Sequence, residues 1–219
     1  MIERSILAVN FESAGLEESA VIRDRLKGRF PAGAARRMTQ LGMLIGSVLG
    51  PLEPAHGEAV IYASSFGETR ALEGFLESFP HASPTLFQTS IHPSGVQQGL
   101  IGRQRSLAEV FPFAGTSGLV GHALLATLLN PAPRVFFCGG DERGGWLREE
   151  KLASDTSFAF AVALGAPSEA ELGKLIVRRD DSLDAKLSLE EWFSLLDSRK
   201  DYSGPLLPGQ RLELIWKKP

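Results

Sequence analysis

The most informative segment of the 219-residue chain is Phe111-Pro112-Phe113-Ala114-Gly115-Thr116-Ser117-Gly118-Leu119-Val120-Gly121-His122. Its first residues predict a strand, and the proline within them indicates an edge or interrupted strand. A tight Gly-Thr-Ser-Gly turn follows, and apolar residues at helical spacing predict a helix over residues 116–129. Such a turn places one side chain at the positive end of a helix, where a thiolate or an oxyanion is stabilised. More often the pattern marks an ordinary N-cap, because threonine and serine are preferred capping residues.

A serine hydrolase is one possible interpretation of this turn, since those enzymes place their nucleophile in the pattern Gly-x-Ser-x-Gly. Here Leu119 stands where the second glycine of the pattern belongs. On the predicted helix, His122 lies about 7.5 Å along the axis and about 140° around it from Ser117. His122 therefore cannot act as a base for Ser117, and the hydrolase interpretation is weak.

Segments typical of strands alternate with segments typical of helices along the chain, which predicts an α/β fold with a layered, largely parallel sheet. Strands are predicted at residues 5–9, 59–63, 110–114, 134–138 and 157–164, and in the tail at 175–177 and 212–216. Helices are predicted at 34–49, in the segment that ends at Pro80, and at 93–104, 116–129 and 188–196. Residues 83–90 are expected to form an irregular connection.

The composition excludes several classes of function. Hydrophobic residues make up 43% of the chain and charged residues 22%, and the net charge is −3, so a nucleic-acid partner is not expected. The absence of a long apolar run or a signal-peptide pattern predicts a cytoplasmic protein without a membrane span. The single cysteine, Cys138, excludes an internal disulfide and a cysteine-based zinc site. The adjacent Asp141 and Glu142 lack a spaced histidine, so the sequence predicts no metal and no cofactor.

Four segments, one of them within the turn described above, give the chain a resemblance to a known family. They are Arg36-Arg37-Met38-Thr39-Gln40-Leu41, Ser83-Pro84-Thr85-Leu86-Phe87 with Ser90-Ile91-His92-Pro93, Ser117-Gly118-Leu119-Val120, and Phe136-Phe137-Cys138-Gly139-Gly140-Asp141-Glu142. In this order and spacing they resemble the N-terminal half of β-ketoacyl synthases, over roughly residues 30–165. The tail, with its tryptophan-containing helix and closing aromatic strand, resembles the small stand-alone proteins of the β-ketoacyl synthase-like N-terminal domain family.

The resemblance implies an α/β fold that corresponds to half of a thiolase-like fold. We expect a mixed five-stranded sheet with helices on both faces at residues 1–165, and a small C-terminal extension at 166–219 that packs on the same domain. Half of such a fold would leave the apolar helix after the turn and an edge strand exposed, which proteins avoid by pairing. A dimer is therefore expected, either with a second copy or with a full-length ketosynthase.

The resemblance also shows what the chain lacks. In active members a cysteine attacks an acyl thioester, and two histidines of the C-terminal half support decarboxylation and condensation. Alignment places Gly115 or, after a shift of one residue, Thr116 at the cysteine position. Cys138 falls at the end of the next predicted strand, where a buried inert thiol is expected. Condensation by this chain alone is therefore not expected.

Three hypotheses of function remain open. The first is a non-catalytic partner similar to a chain length factor in fatty acid, polyketide or aryl polyene synthesis, with Phe111, Phe113, Gly115 and Gly118 at the acyl tunnel. An acyl carrier protein would then be a further partner. The second is an acyltransferase that uses Thr116 or Ser117 as nucleophile and His92 as base. The third is a module that binds an acyl group or a carrier protein.

Overall fold

One mixed sheet of eight strands organises the molecule, whose computed structural model describes residues 1–104 and 106–218. The strand order is β3-β2-β4-β5-β1-β6-β8-β7. The strands are β1 (Ile2–Gly15), β2 (Ala59–Ser64), β3 (Glu109–Ala114), β4 (Arg134–Asp141), β5 (Ser157–Gly165), β6 (Gly173–Arg179), β7 (Tyr202–Leu207) and β8 (Gln210–Trp216). The prediction of an α/β fold is confirmed. Residues 1–165 contribute five strands, but the sheet has eight strands rather than five. The tail strands β6, β8 and β7 extend the same sheet beyond β1.

The helices of the described chain lie on both faces of this sheet, as predicted. They are α1 (Ser19–Leu26), α2 (Ala32–Ala35), α3 (Gln40–Leu49), α4 (Thr69–Glu77), α5 (Pro84–Ser90), α6 (Ser94–Gly102), α7 (Leu119–Leu129) and α8 (Leu189–Ser198). The helix predicted over 34–49 is divided, because the Thr39 side chain caps a new start by accepting a hydrogen bond from the Gly42 N–H at 3.0 Å. Residues 83–90, expected to be irregular, form α5 behind the cap Ser83.

Side chains alternate between two cores, one on each face of the sheet. On β2, Ile61 and its odd-numbered neighbours pack with α7 and α8, whereas Tyr62 and Val60 pack with α1, α3 and α6. The strands β2, β3 and β4 run parallel, while β5, β1, β6, β8 and β7 follow in antiparallel pairs. Because β4 and β5 are covered on both faces, their sequences are nearly continuous apolar runs.

The C-terminal extension covers the helix that follows the Gly-Thr-Ser-Gly turn. Seven of the eleven residues of α7 are buried, so the expectation that this helix would be left exposed is wrong. At Gly121 a Cβ atom would lie 2.3 Å from Leu207 Cγ, which shows how closely β7 approaches the helix. On the same face, Trp192 of α8 is fully buried and its ring lies 5.9 Å from that of Phe137.

The strand β3 is an edge strand, as its proline predicted. Among the strands of the described residues it pairs only with β2, and four of its six residues are exposed. Among the described residues, no helix has the length and apolar character that crossing a membrane requires.

Candidate functional site

Three loops meet where the parallel strands end. Since β2, β3 and β4 run in the same direction, their carboxyl ends share one edge of the sheet. This edge carries Ser64 at the end of β2 with Ser65 directly after it, the turn from Gly115 to Gly118 after β3, and Asp141 at the end of β4. Crevices outside the carboxyl ends of parallel strands are the usual place for ligands in α/β folds.

The turn after β3 depends on two glycines with left-handed backbone angles. Gly115 has a φ of +126° and Gly118 a φ of +70°, values that side chains disfavour. Gly118 occupies the N-cap position, so α7 begins at Leu119 and no side chain caps it. Neither Thr116 nor Ser117 therefore acts as the cap that the sequence favoured. Both side chains are exposed, and Ser117 Oγ accepts a hydrogen bond from Lys186 Nζ at 2.8 Å.

A cavity of about 320 Å³ reaches the start of α7 and is lined by Thr116 and Leu119. Its other walls come from the loop after β2, the end of β4, the segment between β4 and β5, and the start of α8. Asp141, Arg148, Lys151 and charged neighbours make these walls polar, and the described lining includes no histidine and no cysteine. The cavity can therefore hold a polar group next to Thr116, but it offers no imidazole to activate it.

Asp141 and Glu142 fasten the loops at this edge rather than forming a metal site. Asp141 Oδ1 accepts hydrogen bonds from Ser64 Oγ at 2.7 Å and from the Ser65 N–H at 2.8 Å. Glu142 accepts from the backbone N–H groups of Leu41 and Arg70 at 3.1 and 2.9 Å. Burial raises the pKa of Asp141 to about 6 and that of Glu142 to about 8. No group of three metal-ligating side chains occurs in the described chain.

His92, the candidate base, lies on the other face of the sheet from α7. Its ring stacks on Tyr62 with centroids 4.8 Å apart, and Tyr62 belongs to the core on the α3 and α6 side. Burial lowers the pKa of His92, while the backbone carbonyl of Phe113 acts in the opposite direction. His92 does not line the cavity at Thr116. Within the described chain, no hydrogen bond joins His92 to Thr116 or Ser117.

A buried polar cluster around Glu68 was not foreseen from the sequence. Glu68 Oε1 accepts a hydrogen bond from the Gly95 N–H, and Oε2 lies 3.8 Å from His92 Nδ1. Within the described chain, Glu68 Oε2 and the Tyr62 hydroxyl have no hydrogen-bond partner. Burial raises the pKa of Glu68 to about 7. A glutamate just before a helix is usually a solvated dipole partner, so the sequence held no sign of this burial.

The residues predicted to line an acyl tunnel do not border this cavity. Phe111 lies on the outer strand with 41% of its surface exposed, and Phe113 packs against the core on the α7 side. Gly118 is buried beside Leu207. Their role at a tunnel stays a prediction. Cys138 is fully buried and burial raises the pKa of its thiol, which is the inert state expected of it.

Comparisons with known proteins identify the architecture. No protein-family model and no curated protein matches the sequence. One chain in the structure of a ketosynthase in complex with its chain length factor, from Xenorhabdus doucetiae, is 17% identical in sequence to this chain. The two superpose with a TM-score of 0.69 over 98% of this chain and 100% of the compared chain. A β-ketoacyl synthase from Burkholderia phymatum is 11% identical, with a TM-score of 0.57 over 92% of this chain and 71% of that one.

A type II polyketide synthase acyl carrier protein in complex with its ketosynthase, bound to the hexaketide, gives a third match. It is 10% identical, with a TM-score of 0.57 over 83% of this chain and 70% of that one. At these identities the likeness establishes architecture alone. The chain therefore has the thiolase-like fold of β-ketoacyl synthases.

Proposed function

We propose that this chain is a non-catalytic, chain-length-factor-like partner of an active ketosynthase. The observation that carries the proposal is the exposed edge strand β3. Its outer side has no strand beside it in the described chain, and Phe111 lies on it with 41% of its surface exposed. Ile101 of α6, 74% exposed, borders a hollow with Val110 of the same strand. An open edge flanked by apolar side chains is the kind of surface that a partner covers.

Two further observations support the proposal. The turn after β3 joins an edge strand to the start of the buried helix α7, but it has Gly115 and Thr116 where a nucleophilic cysteine is expected. The match to the ketosynthase and chain length factor complex spans the whole of the compared chain, so a chain of this extent occurs in such a complex. An acyl carrier protein would then bind the assembled pair, in which the ketosynthase supplies the catalytic cysteine and histidines.

Substituting Phe111→Glu tests this interface. A charge at the centre of an apolar contact is expected to weaken association with a co-expressed ketosynthase by at least tenfold, because buried aromatic anchors dominate interface energies. The measurement is the dissociation constant from co-purified proteins, with native mass spectrometry to separate heterodimer from homodimer. Phe11→Glu is the matched control, since Phe11 is 38% exposed and lies on β1, away from this edge. Equal affinity of Phe111→Glu and wild type would contradict the proposed interface.

Acyl transfer is the second candidate, because Thr116 lines a cavity at the start of a helix. The cavity lacks an imidazole and His92 lies on the opposite face, so we expect no covalent adduct after incubation with an acyl thioester. Intact-mass measurement checks this. The Thr116→Cys variant is expected to form no condensation product, even if its new thiol accepts an acyl group. A wild-type adduct that disappears in the Thr116→Ala, Ser117→Ala double variant would instead establish acyl transfer.

A further inference from the structure

The apolar side of helix α4 packs into neither core of the sheet. Leu72, Phe75 and Leu76 recur at helical spacing along α4, and Phe79 follows its last turn. None of these four side chains belongs to either core of the described chain. Instead, the centroid of the Phe75 ring lies 5.4 Å from that of Phe79 and 5.3 Å from that of Phe87 on α5. An amphipathic helix normally turns its apolar side to a core, so this side of α4 is unusual.

The helices α4 and α5 together present an exposed apolar surface. Leu76, Phe79, Phe87 and Ile91 are all exposed, and we call these four residues the α4–α5 patch. Ile91 follows directly after α5, which has no buried residue along its length. Exposed apolar side chains that cluster in this way mark an interaction surface, whereas scattered ones do not.

The segment that holds most of this patch carries no strong charge. Residues 78–102 include no aspartate, glutamate, lysine or arginine, although these four types make up 22% of the chain. The core of a protein–protein interface is depleted of charged residues and enriched in aromatic ones. An anionic lipid surface or a nucleic acid would instead require lysine and arginine side chains. The composition therefore favours an apolar protein surface as the occupant.

The α4–α5 patch adjoins the open edge of the sheet at β3. His92, the residue after the patch, lies close to the backbone carbonyl of Phe113 on β3. Val110 of the same strand packs with the core on the α6 side, so Pro112 and Ala114 face that side as well. Both of these residues are exposed. One surface of low charge therefore runs from the edge strand to α5.

The edge strand is too small to be the whole docking surface of a stable partner. It has six residues, whereas a stable interface takes about 20 to 30 residues from each protein. A partner that pairs with β3 must therefore cover neighbouring surface as well. The α4–α5 patch supplies such a surface on the α6 side of the sheet.

We propose that the α4–α5 patch is a second part of the surface on which the ketosynthase docks, and that the partner covers it together with the edge of β3. This inference rests on the proposed pairing with a ketosynthase. It implies that the partner presents an uncharged, apolar surface to α5. Association would move the rings of Phe79 and Phe87 out of water, which is favourable.

Substituting Phe87→Glu tests the patch directly. Phe87 lies outside both cores, so the variant should fold, and circular dichroism checks this. We expect the dissociation constant for a candidate ketosynthase to rise about tenfold, because a carboxylate at an apolar contact loses its water without gaining a partner. Val21→Glu on α1 is the matched control, since Val21 is 54% exposed and Phe87 is 51% exposed. The control should stay within about twofold of wild type.

Amide hydrogen exchange gives a second measurement that needs no substitution. In the complex with the ketosynthase, the backbone amides of α5 should exchange more slowly than in the free chain. The amides of α1 should exchange at the same rate in both states. Exchange at α5 that the ketosynthase leaves unchanged would contradict docking on the patch.

The outcomes separate this inference from the pairing itself. Weaker association of Phe87→Glu, with Val21→Glu equal to wild type, supports the patch. If Phe111→Glu weakens association and Phe87→Glu does not, the patch is overturned and the pairing through β3 stands. No association of the wild-type chain would overturn both. Native mass spectrometry may show a homodimer that Phe87→Glu abolishes without changing the affinity for the ketosynthase, and that result would assign the patch to a second copy instead.

Discussion

Replacing Trp192 by alanine is expected to lower the free energy of unfolding by about 3 to 5 kcal/mol, the usual cost of removing a buried tryptophan. Trp192 is fully buried on α8, and its ring lies 5.9 Å from Phe137 on β4 and 6.3 Å from Phe160 on β5. The substitution would leave a cavity between the extension and the centre of the sheet. Urea denaturation followed by far-ultraviolet circular dichroism measures the effect.

Two controls make the Trp192 result specific. Trp146→Ala removes a tryptophan that is 41% exposed and should cost about 1 kcal/mol or less. Trp192→Phe keeps most of the ring volume and removes an indole N–H that has no partner within the described chain, so it should cost less than Trp192→Ala. A Trp192→Ala variant as stable as wild type would show that the extension is not part of the folded core.

Substituting Glu68→Gln is expected to reduce the loss of stability as the pH rises. Burial raises the pKa of Glu68 from its ordinary 4.5 to about 7. Between these values the folded chain binds a proton that the unfolded chain releases, so stability falls as the pH rises from about 4.5 to 7. The wild type should therefore lose about 2 kcal/mol from this group between pH 5 and pH 8, whereas a glutamine at this position does not titrate.

The measurement is the free energy of unfolding of both proteins at several pH values. Glutamine can keep the hydrogen bond from the Gly95 N–H, so the folded structure should survive. Asp141 and Glu142, whose pKa values are also raised by burial, leave a remaining dependence of the same sign in both proteins. Glu149→Gln, at an exposed position, should follow the wild-type curve. Parallel curves for Glu68→Gln and wild type would contradict the burial of an ionisable Glu68.

Local sequence patterns predicted the strands that are covered on both faces and the edge strand β3, but they missed the opposite edge strand, β7. The strand β5 is buried along its whole length, so its apolar run was visible in the sequence. The strand β7 was missed because Ser203, Gly204 and Pro205 are typical of turns, and an edge position tolerates them. The sheet has eight strands rather than five because β6, β8 and β7 of the tail continue it beyond β1, which pairs with both β5 and β6. Such long-range pairing leaves no local signal.

In the candidate site too, features set by local sequence could be predicted, whereas features set by long-range packing could not. The turn and the helix after β3 could be predicted, because glycine spacing and helical periodicity are local. The exact start of α7 was not predicted, since Gly118 adopts a left-handed conformation and takes the capping position. The face on which His92 lies depends on the stacking of its ring on Tyr62 of β2, which no spacing of residues encodes. The burial of Glu68 likewise results from long-range packing, which the local sequence does not encode.

If this chain completes an active ketosynthase as proposed, its presence should change the chain length of the product. A candidate ketosynthase would be assayed with its acyl carrier protein, alone and with the wild-type, Phe111→Glu or Phe11→Glu chain, and the products would be compared by mass spectrometry. We predict that wild type and Phe11→Glu give the same set of chain lengths, and that Phe111→Glu gives the products of the ketosynthase alone. Identical products and rates with and without the chain would contradict the claim.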